Sequence, residues 1–503
     1  MNSTLPKGYV PLPAEKRARS EQGITEHEKL EAVLRNPATY RFGEGFDLPD
    51  PALGGRPTQY PLWLWQVYAS LVDMYTNARN ADTHLSDSRT GLWELIRTVA
   101  SEMCGAPAGD LLPEHPPTRG WYVQTRKRKV EPNLEKVRLS SIDEAVRTAR
   151  EVGLGDPDKP WDVNDMTRRP KADGHVISPL TDASQGTTVK TSAIDTATGE
   201  IVEVDRPVRY DPDARLHVTG DKKQVVGNKF WHASLRGDRP HHLVILAVDA
   251  VPEAKGQNNS ENHVMMRNFD HLARFDNLSI VGPIVDGVVR GKDLDKMQAD
   301  YGWVPVTPVA AAKVDKKAEE RTEKEGFLRR IDVDECDHGS VSIHYYAGRL
   351  VKADVTDTGK VTFTDLQWKR VCRRANKNGT WRMYVEYEVE CNCGHHSATI
   401  LEPIITSDDD RKRGFNRGEN IRAVPPGTPL YLDIYPHRSA IEGDNRRIDD
   451  NLHLRRARSY GIRRQLADLL AHQHLINSLA RHLHGPDSRP SEPLDADQPA
   501  KAA

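Results

Sequence analysis

A regular change of residue pattern between positions 173 and 306 limits the fold of this chain more than any other feature. Residues 227–234 and 242–248 indicate two neighbouring strands, because their apolar and β-branched residues are separated by a turn rich in Gly, Asp and Pro. The pattern then predicts, in order, a helix at 262–275, a strand at 278–285, a helix at 293–301 and an extended segment at 304–309. Strands that alternate with helices in this way predict an α/β domain built on a central sheet.

Other patterns flank this domain. Residues 26–155 carry apolar residues at helical spacing and predict a helical region, and a capping-box pattern at 141–144 predicts the start of one of its helices. Residues 313–410 are rich in strand patterns, and helical patterns return at 411–484. We therefore expect residues 165–312 and 411–484 to form one α/β domain that is interrupted by a β-rich insertion.

The composition describes a polar chain with nearly balanced charge. Its 503 residues include 71 basic and 73 acidic side chains, and the net charge of −2 argues against a histone-like polycation. No apolar run reaches the roughly 18 residues of a membrane span, so we expect no membrane partner. Five cysteines are too few for a disulfide framework, which indicates the reducing cytoplasm. Residues 1–25 lack the apolar segment of a secretory signal, and residues 1–25 and 485–503 are predicted to be disordered.

Three acidic residues stand where an α/β domain that binds metal ions needs them. Asp286 ends the apolar run 278–285, and an acid at the carboxyl end of a buried strand faces the crevice where ligands bind. Glu442 lies on a predicted helix, and Asp173 precedes the pair of strands. Three carboxylates can hold two Mg²⁺ ions, with Mn²⁺ able to take their place, and such a pair promotes phosphoryl displacement by water.

The first of these acids has rivals. Asp173 is followed by an apolar pair that can form a strand, whereas Asp211 and Asp213 flank Pro212, which suits a turn better. Asp162 is a further candidate upstream. The residue pattern favours Asp173 and leaves the others open.

Basic side chains cluster in two places, at residues 126–129 and 455–464. Clusters of this kind are typical of surfaces that bind nucleic acid, and equally of a solvated helix face.

The segment that contains Glu442 resembles a known family. Tyr435, Arg438 and Glu442 have the spacing of the Tyr-x2-Arg-x3-Glu-x6-Lys signature of cut-and-paste bacterial insertion-sequence transposases of the DDE type. Residues 282–291 look like the second catalytic strand of these enzymes, and the resemblance extends over about residues 173–484. The signature's Lys falls on Asp449 in this chain. Arg446 and Arg447 are the candidates for supplying that positive charge instead.

The resemblance implies a ribonuclease-H-like catalytic core with a β-rich insertion between the second and third acids. Asp173, Asp286 and Glu442 would then bind two Mg²⁺ ions, cut the ends of a mobile element and join the freed 3′-hydroxyl to target DNA. In this fold the first acid lies on the first strand and two antiparallel strands follow it, a condition that Asp173 and Asp213 both meet, so the preference for Asp173 rests on the residue pattern around it.

The resemblance also implies partners. They are double-stranded DNA and a second copy of the chain, in the nucleoid of the cytoplasm. The residues expected to contact DNA are Tyr435, Arg438, Arg446 and Arg447 near the cleaved phosphate, and Arg126, Lys127, Arg128 and Lys129 at the terminal repeats. Two alternatives stay open. One is a catalytically inactive DNA-binding derivative, which Asp449 favours, and the other is a nuclease of the same fold without strand transfer.

The cysteines suggest a second kind of site. Cys391 and Cys393, with Cys336 and His338 upstream, are four residues of the types that bind zinc. The Cys-x-Cys spacing is less typical than Cys-x2-Cys, and it falls where a hairpin turn is expected. We therefore expect no zinc site.

Overall fold

The computed structural model describes most of the chain. The described residues are 23–48, 59–180, 188–194, 201–207, 211–218, 224–252, 260–287, 289–309, 326–333, 340–355, 358, 361–391 and 393–486. The segments predicted to be disordered therefore lie largely outside this part, which leaves out residues 1–22 and 487–503. None of the helices that can be described is both long and apolar enough to cross a membrane.

The N-terminal region is helical, as its apolar periodicity predicts. Its helices are α1 (Glu26–Leu34), α2 (Pro37–Arg41), α3 (Trp63–Met74), α4 (Ala78–Ser86), α5 (Leu92–Cys104), α6 (Ala108–Leu111), α7 (Arg119–Thr125) and α8 (Leu134–Glu151). A π-helical turn, Arg126–Val130, joins α7 to the segment before α8. Helix α8 begins at Leu134, so the helix start predicted at 141–144 is wrong, and Ser141 lies inside the helix.

The first strands after this region form the central sheet and a separate two-stranded sheet, in which β2 pairs with β3. They are β1 (Lys171–Ile177), β2 (Thr188–Ile194), β3 (Ile201–Pro207), β4 (Arg215–Val218), β5 (Gln224–Arg236) and β6 (Leu243–Val251). Strand β5 pairs antiparallel with β1 on one side and with β6 on the other. On its free side β1 pairs in parallel with Ile284, which in turn pairs in parallel with Val306. The sheet therefore runs in the order β6, β5, β1, Ile284, Val306, and the chain has the mixed α/β fold that its pattern predicts.

The strand predicted at 278–285 is reduced to a single bridge at Ile284. Two adjacent residues explain the interruption. Pro283 has no N–H to donate to a ladder. A Cβ on Gly282 would lie 2.2 Å from the carbonyl oxygen of Val304, so only glycine allows this close approach of the two segments. The segment is extended and buried, but it lacks a continuous ladder.

Helices cover the two faces of the central sheet. The remaining helices are α9 (Glu261–Leu272), α10 (Gly291–Ala299), α11 (Asp408–Lys412), α12 (Arg417–Asn420), α13 (Pro429–Ile434), α14 (Ser439–Asn451) and α15 (Ile462–His484). Phe230 packs in one hydrophobic core with α15 and the N-terminal helices, whereas Trp231 packs in a second core with α9 and the end of α8. Neighbouring residues of a strand point to opposite faces, so β5 separates these two cores.

The β-rich insertion consists of two antiparallel sheets. Its strands are β7 (Phe327–Ile331), β8 (Val341–Tyr346), β9 (Arg349–Val355), β10 (Val361–Asp365), β11 (Gln367–Ala375), β12 (Trp381–Glu390) and β13 (Ser397–Pro403). The strand orders are β10-β9-β8-β7 and β11-β12-β13. A third hydrophobic core joins these strands to Ile284 and Val306, so the insertion packs against the edge of the central sheet.

Arg373 on β11 fastens the insertion to the segment before β1. Its guanidinium lies between two indole rings, 4.6 Å from the centroid of Trp161 and 4.5 Å from that of Trp381. It also donates a hydrogen bond of 3.0 Å to the carbonyl oxygen of Gly302. A cation between two aromatic faces is stabilised on both sides, by about 0.5–2 kcal/mol for each ring.

We expect Arg373→Ala to lower the midpoint of thermal unfolding by several degrees, since the change removes both cation–π contacts and the bond to Gly302, a loss of about 2 kcal/mol. Arg374→Ala is the matched control, because Arg374 is the exposed neighbour on the same strand. Equal midpoints for the two variants in a calorimetric scan would contradict this role for Arg373.

Candidate active site

The register of the central sheet brings two of the predicted acids to the same level. Asp173 lies on β1, two residues after Lys171, and Asp286 lies two residues after Ile284. Because Lys171 and Ile284 are bridge partners in parallel, Asp173 and Asp286 follow at corresponding positions of neighbouring segments. Asp173 is largely buried, with 16% of its side chain exposed.

The pKa of Asp173 is shifted by burial and by the charges around it. It is raised to about 6, chiefly because burial disfavours the ionised form. The Arg438 guanidinium opposes the rise, and the negative charges of Asp286 and Glu261 add to it. Asp286 is therefore close enough to Asp173 to influence its ionisation.

Arg438 connects the first predicted acid with the third. Its Nη2 lies 3.3 Å from Oδ2 of Asp173, and its Nη1 lies 3.5 Å from Oε1 of Glu442. Arg438 and Asp173 are 265 residues apart in the sequence. The Nε of Arg438 is buried, and no hydrogen-bond partner for it is found among the described residues. One guanidinium group thus contacts two of the predicted metal ligands, and one of its N–H donors has no partner among the described residues.

The local fold of residues 428–442 explains how these side chains are presented. Thr428 caps α13, and after its last residue, Ile434, a 3-10 turn (Tyr435–Arg438) leads directly into α14. Arg438 and Glu442 are four residues apart, so they lie on the same face where α14 begins. The Tyr435 ring stacks on that of Tyr431 at 4.9 Å. Burial raises the pKa of Tyr435, and so do the charges of Asp286 and Asp173.

Polar contacts dock α14 on the sheet. Asp444 accepts a hydrogen bond of 2.7 Å from Ser234, and Asn445 lies 2.6 Å from Nε2 of His232. Burial lowers the pKa of His232 to about 4, so this ring is neutral at physiological pH. Directional contacts of this kind fix the rotation of α14, and with it the direction in which Glu442 projects.

The residue at the position of the signature lysine has another role. Asp449 lies 2.8 Å from Nε2 of His175 on β1. Of the two candidates for the missing positive charge, Arg446 lies 3.7 Å from Asp450 at the surface. Burial lowers the pKa of Arg447.

A lysine and a fourth acid beside the site were missed by the sequence analysis. Glu261, in the first turn of α9, forms an ion pair of 2.6 Å with Lys229 on β5. This pair lies over the backbone of Gly174, where an added Cβ would come within 2.4 Å of Glu261 and 2.8 Å of Lys229. A side chain at 174 would displace the pair, so glycine beside Asp173 was the one local signal that indicated it.

The rival first acids serve a different part of the fold. Asp213 accepts a hydrogen bond of 2.9 Å from the backbone N–H of Ile462, and Asp211 accepts one of 3.1 Å from Gly461. Both therefore satisfy backbone donors at the start of α15. Asp162 is exposed and accepts a hydrogen bond from the N–H of Asn164 within its own loop. The role of Asp173 as first acid stays a prediction.

The basic cluster at 126–129 is divided between interior and surface. Arg126 is 13% exposed and lies 3.6 Å from both Glu131 and Asp468. Lys127 and Arg128 are exposed, and Lys129 is half-buried. Three of the four cations thus reach solvent, and Arg126 is held within the helical region.

Two of the four residues weighed for zinc, Cys336 and His338, lie outside the described residues. Cys391 is buried and Cys393 is partly buried beside the turn before β13. The expectation of no zinc therefore stays a prediction.

The three predicted acids, Asp173, Asp286 and Glu442, have side chains of the type that binds divalent metal ions. Carboxylate oxygens are the ligands that Mg²⁺ prefers, and a dication would relieve the charge crowding that raises the pKa of Asp173. In the part of the chain that can be described, no three His, Cys, Asp or Glu side chains are already grouped closely enough to hold a metal ion. Glu442, 66% exposed, is engaged with Arg438 and has room to turn.

The raised pKa of Asp173 makes stability depend on pH. Its contribution to stability is fully present below the ordinary value of 3.8 and is lost as the pH rises through about 6. In EDTA at pH 7.5 we expect Asp173→Asn to be more stable than the unchanged protein, by about 2 kcal/mol, since the amide removes the buried charge. The difference should shrink towards pH 5. Denaturant titrations across this range measure it, and an Asn variant that is less stable at pH 7.5 would refute it.

No known protein-family model matches this sequence, and comparison with curated proteins gives no match either.

Proposed function

We propose that this protein is a DDE-type DNA transposase with a ribonuclease-H-like catalytic core. The topology supports the proposal. Three antiparallel strands, β1, β5 and β6, are followed by segments at Ile284 and Val306 that pair in parallel beyond β1. The resemblance leads us to expect an acid on the first strand and two antiparallel strands after it, and the arrangement of β1, β5 and β6 supports this.

The contact of Arg438 with both Asp173 and Glu442 is the observation that carries the proposal. Two carboxylates from distant parts of the chain, one on β1 and one on α14, contact one guanidinium, and Asp286 lies on the segment next to β1. An ordinary surface ion pair between Arg438 and Glu442 would need no partner on β1. A site for phosphoryl transfer needs both the acids and a cation for phosphate.

The residues of this chain have distinct tasks in the proposed reaction. Arg438 holds the scissile phosphate through two parallel hydrogen bonds from its guanidinium. Tyr435, on the same turn, packs against the sugar next to that phosphate. Glu261 raises the pKa of Asp173 and is itself held by an ion pair with Lys229.

Asp173, Asp286 and Glu442 would hold Mg²⁺ or Mn²⁺. When bound, a metal pair activates water and stabilises the leaving oxygen of the phosphodiester. Glu442 has to leave Arg438 and turn towards the aspartates, and the arrival of a phosphate at Arg438 releases it. Binding of DNA and completion of the carboxylate site are thereby coupled.

The proposed partners are DNA and a second copy of the chain. Double-stranded DNA binds along the exposed cations Arg446, Lys127 and Arg128 and the half-buried Lys129, and two chains hold two element ends together. In the first step, water cleaves the phosphodiester at the element end and leaves a 3′-hydroxyl. In the second step, this hydroxyl attacks target DNA and displaces a 3′-oxygen there.

The test is incubation of the purified protein with labelled DNA ends from the element that encodes it, with supercoiled target DNA and Mg²⁺. Cleavage and joined products are expected, and EDTA should prevent both. Cleavage without joining would favour the nuclease alternative. Binding without cleavage in Mg²⁺ and in Mn²⁺ would favour the inactive DNA-binding derivative, and the transposase proposal would be wrong.

A further inference from the structure

A cavity of about 470 Å³ lies among the N-terminal helices, and none of the predicted metal ligands Asp173, Asp286 and Glu442 lines it. Its walls come from α3, the start of α4, α7 and the π-helical turn, with Asp468 from α15 and Arg458 from the segment before α15. The uncharged residues that line it are Val72, Asn77, Ala78, Gly120, Tyr122, Val123 and Gln124. Its volume falls in the range of about 300–1,000 Å³ that is typical of pockets for small organic ligands.

Three arginines line the cavity, and two of them are nearly buried. Arg126 and Arg458 have side chains that are 13% and 6% exposed, whereas Arg119 is open to solvent. The carboxylates of Glu131 and Asp468 approach Arg126 only to 3.6 Å, beyond the usual 2.7–3.2 Å of a hydrogen bond. Arg126 is therefore neutralised only loosely.

Both buried guanidinium groups have an unused donor. The Nε atoms of Arg126 and Arg458 are buried and have no hydrogen-bond partner among the described residues. Arg458 is otherwise well satisfied, through Asp73 at 2.5 Å and the carbonyl oxygen of Asn451 at 2.8 Å. A buried donor without a partner is unfavourable, so these two guanidinium groups are incompletely satisfied by the protein itself.

The acid in the lining does not cancel this charge. Asp468 accepts a hydrogen bond of 2.8 Å from Ser459, and its other oxygen faces Arg126. Apolar surface on Val72, Ala78 and Val123 is available to a flat ring, and the amides of Asn77 and Gln124 can bond to its edge. A ligand that joins an anionic group to a heterocyclic ring would contact the arginines, the apolar wall and the two amides.

We propose that this cavity binds a nucleoside phosphate, with the phosphate on Arg119 and Arg126 and the base against the apolar wall. The ligand is either a free nucleotide or an unpaired nucleotide at a DNA end, since both present the same chemistry. The inference does not depend on the proposed transposase activity, because it involves neither the carboxylates nor a metal.

The experiment is calorimetric titration of the full chain in EDTA with deoxyadenosine monophosphate and, separately, with inorganic phosphate. The nucleotide should bind more tightly than phosphate alone. Arg119→Gln should weaken nucleotide binding about tenfold, the effect of one lost charge-assisted hydrogen bond. Arg89→Gln is the matched control, because Arg89 is 88% exposed in the same helical region and lies outside the cavity.

Two DNA duplexes separate the sources of the nucleotide. One is blunt, and the other has a single unpaired nucleotide at its 3′ end. Tighter binding of the second duplex, lost in Arg119→Gln, assigns the cavity to DNA, and binding of the free nucleotide without that preference assigns it to a small molecule. The proposal is overturned if neither binds, if Arg119→Gln binds as the unchanged protein does, or if phosphate binds as tightly as the nucleotide. Arg126→Gln repeats the test inside the cavity, and failure of that variant to fold leaves the surface variant decisive.

Discussion

Asp286→Asn should lower the rate of DNA strand cleavage by about 10³-fold or more while DNA affinity stays equal or rises. Asparagine keeps the size of the side chain but removes a charged ligand, and loss of metal-dependent stabilisation of this kind amounts to several kcal/mol of transition-state energy. Affinity should not fall, because the change removes a negative charge from a site for phosphate.

Rates on labelled element ends in Mg²⁺, together with dissociation constants from gel shifts in Ca²⁺, measure the two effects separately. Asp276→Asn is the matched control, since Asp276 lies ten residues upstream on an exposed turn. Full cleavage by the Asp286 variant would remove this residue from the catalytic machinery. A parallel loss of DNA binding would indicate a misfolded protein instead.

Replacement by asparagine should have opposite effects on DNA cleavage and on stability at Asp173 and at Asp213. Asp173→Asn is expected to lose cleavage to a similar degree as the Asp286 variant and to keep a stable fold. Asp213→Asn is expected to keep cleavage and to lose about 1 kcal/mol of stability, because Asp213 accepts the N–H of Ile462 at the start of α15.

This comparison decides the identity of the first acid, which the residue pattern left open. Cleavage rates and unfolding midpoints are needed for both variants. If Asp213→Asn loses cleavage without loss of stability and Asp173→Asn stays active, the assignment of Asp173 is wrong, although the proposed class of enzyme survives.

Local sequence patterns predicted the order of the helices and strands well, but they predicted the first and last residues of these elements less well. The strands at 227–234 and 242–248 became the longer strands β5 and β6, since pairing of β5 with β4 and of β5 with β6 extends them. The helix start at 141–144 failed because Leu134 and Val137 are buried, and packing of this apolar face extends α8 further towards the N-terminus than the cap pattern indicates.

In the candidate site, too, the sequence predicts some contacts and not others. Arg438 and Glu442 could be paired from sequence, because a spacing of four residues places two side chains on one helix face. The Lys229–Glu261 pair could not, since it joins a strand to a helix across the sheet and leaves only Gly174 as a trace.

The sequence by itself determined that strands and helices alternate, that Asp286 ends an apolar run and that Tyr435, Arg438 and Glu442 stand at helical spacing, because each of these depends on neighbouring residues and backbone periodicity. Only the tertiary structure decided that Arg438 reaches Asp173, that Asp211 and Asp213 hold α15 and that Arg126 lines a cavity. Such contacts join residues hundreds of positions apart. They depend on how the sheet and its helices pack together, and no local pattern records that packing.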